Sequence, residues 1–168
     1  MLTTERLQLK PLHKDHIQDL EHLFCKNELV MQNTFKGRVF TKKEFEDTLK
    51  TGFIVSEDEQ VGFWCLTLKG EDKVIGITGL LACTYLDKAD YEFGFVLNDA
   101  HWGKGFATEL GQFWLTYAKN KMKLKALIAV VSPQNMASRR VLEKLQMKFV
   151  RQVKCSERGD RLVLRKEL

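Results

Sequence analysis

Between Tyr91 and Glu109 the chain reads as a strand, a short loop and the start of a helix: Tyr91-Glu92-Phe93-Gly94-Phe95-Val96-Leu97, then Asn98-Asp99-Ala100-His101-Trp102-Gly103-Lys104-Gly105, then Phe106-Ala107-Thr108-Glu109. Gly103 and Gly105 allow a close backbone approach with no Cβ in the way. The free N–H groups of the first helical turn then face an anion with the positive end of the helix dipole. That is the chemistry of a pyrophosphate cradle. A Walker loop would need G-x-x-x-x-G-K-[ST], which is absent. A dinucleotide fingerprint would need Gly or Ala at position 108 and an acid about 20 residues on, where Thr108 and the Lys123–Lys125 region stand. Taken alone, the segment also fits a glycine turn that merely starts a helix.

Two further groups bear on chemistry. Glu92 alternates onto the strand face that carries Gly94 and Val96, opposite Tyr91, Phe93 and Phe95, so its carboxylate can border a cleft on that side. In Val131-Ser132-Pro133-Gln134-Asn135-Met136-Ala137-Ser138, Asn135 has the position of an N-cap and Ser138 that of a first-turn residue. Capping explains both without a ligand. His101, beside the glycines, reads as a surface residue.

The elements that must position these residues follow from periodicity. Leu7 and Leu9 alternate in a strand that Pro11 stops. Ile17, Leu20, Leu23 and Phe24 recur at helical spacing between Asp15 and about Lys26, and Thr41-Lys42-Lys43-Glu44 is a capping box opening a second helix with Phe45 and Leu49 inward. Runs at Val61–Leu68, Val74–Leu81 and Tyr91–Leu97 predict an antiparallel meander. A helix from Phe106 to about Asn120 and a short strand at Ala126–Val131 imply a crossover. A helix through Ala137, Val141, Leu142 and Leu145, with Arg139, Arg140, Glu143 and Lys144 on its wet side, precedes strands near Phe149–Cys155 and Arg161–Lys166. The expectation is one α/β domain over residues 1–168, with a mixed, mostly antiparallel sheet of about seven strands and four helices.

Composition narrows the function. A chain of 168 residues, 44% hydrophobic, suits one domain. The absence of a leader-like N-terminal run and of any stretch of roughly 18 apolar residues predicts a cytoplasmic protein without a membrane span. Cys25, Cys65, Cys83 and Cys155 form no C-x-x-C pair, which argues against a metal site and predicts reduced, mostly core-filling thiols. Residues 1–100 hold 12 Lys/Arg against 17 Asp/Glu, and residues 101–168 hold 15 against 5. The basic half suggests an anion, either a nucleic acid or a phosphorylated cofactor, and charge alone fits a solvated surface without a ligand equally well. Lys119, Lys121, Lys123 and Lys125 alternate without striping a helix, and no nucleic-acid motif accompanies them, which argues against a nucleic-acid binder. Nothing specifies an oligomeric state.

Trp102-Gly103-Lys104-Gly105-Phe106-Ala107 resembles motif A of the GNAT acetyltransferase superfamily, Q/R-x-x-G-x-G/A, with Trp102 where Gln or Arg is usual. Asn135-x-x-Ser138 followed by Leu142-Glu143-Lys144-Leu145 resembles motif B of the branch typified by ribosomal-protein N-terminal acetyltransferases. The opening Thr4-Glu5-Arg6-Leu7-Gln8-Leu9-Lys10-Pro11-Leu12, the strand Ile75-Gly76-Ile77-Thr78-Gly79-Leu80 and the final paired strands are also similar to that branch. The resemblance implies an enzyme using acetyl-CoA as acyl donor, contacted by Phe95, Leu97, Trp102, Gly103, Lys104, Gly105, Phe106, Ala107, Thr108, Asn135 and Ser138. It implies direct attack by an amine, from a protein N-terminus or a small molecule, with no covalent enzyme intermediate. Glu92 is then a general base, a relay through water, or a substrate-orienting or structural carboxylate. Leu142 occupies the position where many members place a tyrosine acid, leaving Ser138 or water to serve the departing thiolate. A non-catalytic acyl-CoA sensor is the alternative. Acceptor choice is expected around Lys26–Lys50 and in the Cys83–Asp90 loop, and the acidic first half predicts a cationic acceptor such as a peptide N-terminus or a polyamine-like compound. Gln146-Met147 replaces the usual Gly-Phe, so the preceding helix lacks a glycine C-cap.

Overall fold

A computed structural model describes residues 1–56 and 60–168. Its strands are β1 (Leu2–Thr3), β2 (Leu7–Lys10), β3 (Gly62–Leu68), β4 (Val74–Cys83), β5 (Asp90–Leu97), β6 (Ala126–Val131), β7 (Lys148–Cys155) and β8 (Gly159–Glu167). They form one sheet in the order β1-β2-β3-β4-β5-β6-β8-β7. All neighbours are antiparallel except β5 and β6. The helices are α1 (Ile17–Glu21), α2 (Glu28–Met31), α3 (Lys42–Thr51), α4 (Phe106–Asn120) and α5 (Met136–Lys144).

Both faces of the central strands are covered, which is why they read as continuous apolar runs. Phe63, Cys65, Ile77 and Val96 pack with Leu20, Phe24, Met31 and Phe45 from the N-terminal helices. Trp64, Leu66, Ile75, Phe93 and Leu97 pack with Leu110 and Trp114 of α4 and Leu142 of α5. The buried Trp114 indole donates to Thr78 Oγ1 at 2.8 Å, and Thr78 Oγ1 donates to the Gly94 carbonyl at 2.9 Å. That chain locks α4 onto the middle of β5, the strand that carries Glu92.

The meander β3-β4-β5, the crossover β5-α4-β6 and the capping box all form as the pattern predicts. In the box, Glu44 N–H donates to Thr41 Oγ1 and Thr41 N–H to Glu44 Oε2. Among the described residues the sheet has eight strands and there are five α-helices, against about seven and four expected. The additions, β1 and α2, span two and four residues, too short to show a period. The helix expected over 15–26 is a composite: a 3₁₀ turn at Lys14–His16, α1, and a π turn at His22–Lys26. Leu20, Leu23 and Phe24 are buried as expected. Periodicity missed the change of helix type because i+3, i+4 and i+5 neighbours all lie on one side.

At the end of α5, Gln146 takes φ +59°, the left-handed position usually filled by glycine. Its N–H donates to the Glu143 carbonyl, and the Met147 N–H to Leu142. The cap forms without its usual residue. Of the four free cysteines only Cys65 is buried; Cys25, Cys83 and Cys155 are half-buried, so the core-filling expectation holds for one. Burial pushes the Cys65 thiol up to about 12 and the Cys83 thiol up to about 11. No helix among the described residues is long and apolar enough to cross a membrane.

Candidate active site

The parallel neighbours β5 and β6 register at a single pair, Glu92 with Ile128. Two cavities lie along the C-terminal half of β5. One, of about 360 Å³, runs along α4 and α5; the other, of about 300 Å³, lies toward the N-terminal helices and the β7–β8 turn. They share a wall of Asn33, Thr34, Phe95, Val96, Asn135 and Ser138.

The first cavity ends at the start of α4. Gly103 and Gly105 have φ of +73° and +82°, conformations open to glycine at little steric cost, and Gly105 is the N-cap with no side-chain cap bond. The first N–H groups of this 15-residue helix are therefore available to a ligand. The loop is clamped from behind. Arg6 donates from its backbone N–H (2.8 Å) and Nε (2.7 Å) to the Glu109 carboxylate, its Nη1 donates to the Lys104 carbonyl (2.9 Å), and its guanidinium lies 4.5 Å from the Phe106 ring centre. Thr4 Oγ1 also donates to Glu109. Burial works against ionisation of Glu109, but these bonds outweigh it and hold the carboxyl below its usual range. The Trp102 indole donates to the Leu97 carbonyl at 2.9 Å, tying loop to strand and occupying one of that oxygen's two lone pairs.

Phe95, Leu97, Trp102, Gly103, Gly105, Phe106, Ala107, Thr108, Asn135 and Ser138 all line this cavity, so ten of the eleven residues expected at the donor site meet. Lys104 does not line it; its side chain is exposed. Arg140 and Lys144, expected only on the wet side of α5, line the cavity and add positive charge where an anion would lie. His101 also lines it, half-buried, with Nδ1 buried and unbonded, contrary to a surface reading. Burial, and then Lys104, hold its pKa below the ordinary value.

Asn135 caps α5, its Oδ1 accepting from the Ser138 N–H at 3.1 Å. The capping reading is thus satisfied while both side chains also stand on the shared wall. Leu142 lines the second cavity as an apolar surface, so no acid occupies that position.

Glu92 projects into the second cavity from the expected face. It is only 8% exposed and accepts no hydrogen bond among the described residues. Burial pushes its carboxyl up to about 7, with Arg158 pulling the other way. Arg158 and Arg161, from the β7–β8 hairpin, line the same cavity, as do Asn33, Thr34 and Phe35 from the chain after α2. Tyr85, in the expected Cys83–Asp90 loop, accepts from Arg158 Nη1 at 3.0 Å. The hairpin arginines belong to no motif of the sequence, and no local spacing rule connects them to Glu92.

Against this geometry, residues 6–148 match the model of the GNAT acetyltransferase domain. An uncharacterized N-acetyltransferase, YnaD of Bacillus subtilis, is 30% identical over 88% of this chain and 82% of its own length. The chain belongs to the GNAT acetyltransferase family. A ribosomal-protein-serine acetyltransferase of Escherichia coli is 26% identical over 82% of this chain and 76% of its own. The solved structure of RimL, a ribosomal L7/L12 α-N-protein acetyltransferase in complex with coenzyme A, superimposes with a TM-score of 0.78 at 14% identity, covering 99% of this chain and 97% of that one. That likeness bears on fold alone. As a GNAT member the chain is an acetyl-CoA-dependent N-acetyltransferase with a single α/β domain.

Proposed function

We propose that acetyl-CoA and a primary amine meet at the wall shared by the two cavities and react by direct attack. The observation that carries this reading is the placement of Glu92, an unbonded buried carboxyl, in the cavity that adjoins the cradle. Residues 1–168 act as one unit in the cytoplasm, and the acceptor is a small-molecule amine or a protein N-terminus.

The cradle residues fit acetyl-CoA. The amides at the start of α4 would meet the pyrophosphate, with Arg140 and Lys144 alongside and Leu97, Phe106 and Val141 supplying apolar wall. Backbone groups near Phe95 and Leu97 would pair with the pantetheine arm as an added strand and offer an N–H to the developing oxyanion. The donor supplies an activated acetyl thioester. Glu92 accepts a proton from the ammonium, directly or through water, and an environment that holds its carboxyl near 7 suits a base working at neutral pH. Ser138, on the shared wall, or a water returns a proton to the thiolate. Positioning supplies the larger part, roughly 7–11 kcal/mol, against about 3–5 kcal/mol for a proton-transfer group.

Incubation with acetyl-CoA and a panel of amines, reading thiol release, tests the reading. Amine-dependent release supports it. Tight acetyl-CoA binding with no release on any amine would leave a sensor.

A further inference from the structure

The second cavity holds more positive charge than the mechanism uses. Arg161 is 6% exposed, and its guanidinium donates only to the carbonyls of Asp160 (2.8 Å) and Phe35 (3.0 Å). Arg158 donates to Tyr85 Oη, and its Nε is buried with no partner. Among the described residues neither guanidinium has a carboxylate at ion-pair distance; Glu92 is felt by Arg158 only through space, and the nearby Glu157 pairs instead with Lys36 at 3.3 Å. Burying a cation without a counter-charge, as at Arg161, is costly unless an anion joins it, and the half-buried Arg158 stands beside it. Neither arginine lines the donor cavity, so the phosphates at the cradle are not that anion. Each instead faces the cavity of Glu92, which thus offers one carboxyl for an amine and two guanidiniums for an anion.

We propose that the acceptor is a small amine carrying a carboxylate, an α-amino acid or close analogue, with its carboxylate on Arg158 and Arg161 and its amine toward Glu92. This rests on the acetyltransferase reading above and narrows its acceptor. The Arg–carboxylate geometry is the strong, directional kind. A volume of about 300 Å³ is at the small end for a ligand site. Phe35, on the cavity wall, accepts from Arg161 through its carbonyl, and the adjoining Lys36 pairs with Glu157. The charge of the sequence halves predicts a cationic acceptor, but folding carries two arginines of the basic half into the acceptor side.

The test measures kcat/KM for free amino acids, for their carboxamides and methyl esters, for a polyamine and for a short peptide, with acetyl-CoA affinity followed by calorimetry. We expect the free acids to exceed their amides by about 10- to 100-fold, the range of a charged hydrogen-bond pair. Arg158→Gln should bring that ratio toward one while acetyl-CoA affinity is retained, and Arg158→Lys should restore part of it. Equal rates on acid and amide, or preference for the polyamine or peptide, would overturn the acceptor class and leave the enzyme standing. Absence of transfer to every amine would overturn both.

Discussion

At Glu92, burial makes the stability of the fold depend on pH. With its carboxyl held near 7 against a usual value near 4.5, the folded state binds more protons than the unfolded state between those pH values. Stability therefore falls as pH rises through that window, by about 3 kcal/mol once both states are ionised. Glu92→Gln should remove most of this slope, so that its thermal midpoint changes less than wild type between pH 5 and pH 8. The same substitution should lower kcat by about 10²–10⁴-fold with acetyl-CoA affinity nearly unchanged. The wild-type kcat/KM should rise with pH through about 7 and the variant should lose that limb; an unaltered pH–rate profile would return Glu92 to a structural role. Trp102 is the other residue whose part is concrete. Trp102→Phe keeps the ring and loses the bond to the Leu97 carbonyl, and it should weaken acetyl-CoA binding about fivefold, the value of one neutral hydrogen bond.

At the scale of the element, the turn into α4 depends on two residues in the left-handed region. A Cβ at Gly105 would meet only the flexible Arg6 guanidinium, at 3.4 Å, so the obstacle is conformational: a β-branched residue at φ +82° is strained. Gly105→Val should abolish calorimetrically detectable acetyl-CoA binding in a folded protein, because the loop must rearrange and take the helix amides with it. The end of α5 gives the opposite sign. Gln146 holds a glycine conformation at φ +59°, with only a side-chain contact from Lys166 (3.2 Å) in return. Gln146→Gly should raise stability by about 1 kcal/mol, read as a higher denaturant midpoint at unchanged slope.

For the whole molecule, the basic half supplies Arg140 and Lys144 to the first cavity and Arg158 and Arg161 to the second. Arg140 and Lys144 at the donor cavity are exposed or nearly so and will be screened by salt. The KM for acetyl-CoA should rise between about 0.05 and 0.5 M salt, and a double Arg140→Ala, Lys144→Ala variant should show a shallower dependence. Identical slopes would mean that backbone amides alone hold the phosphates. The acceptor side is stabilised by a network remote from the chemistry: Glu44 accepts from Arg38, Lys36 and the Thr41 N–H, which holds its carboxyl far below the usual range, and Lys36 links on to Glu157. The capping box legible in the sequence thus anchors the loop that walls the acceptor cavity.

The sequence by itself determined the crossover β5-α4-β6, the glycine turn at its centre and the cap at Asn135, because each is local: period, φ requirement and capping chemistry act within a few residues. The resemblance of these motifs to a known family then pointed to eleven residues, ten of which line one cavity. Tertiary structure decided what lies opposite them. Arg6 behind the glycine loop, Arg158 and Arg161 facing Glu92, and Phe35 at the end of the cavity arrive from the far ends of the chain, where no spacing rule connects them. It also set the proton affinity of Glu92, since desolvation is a property of the assembled cavity and not of the strand that carries the residue.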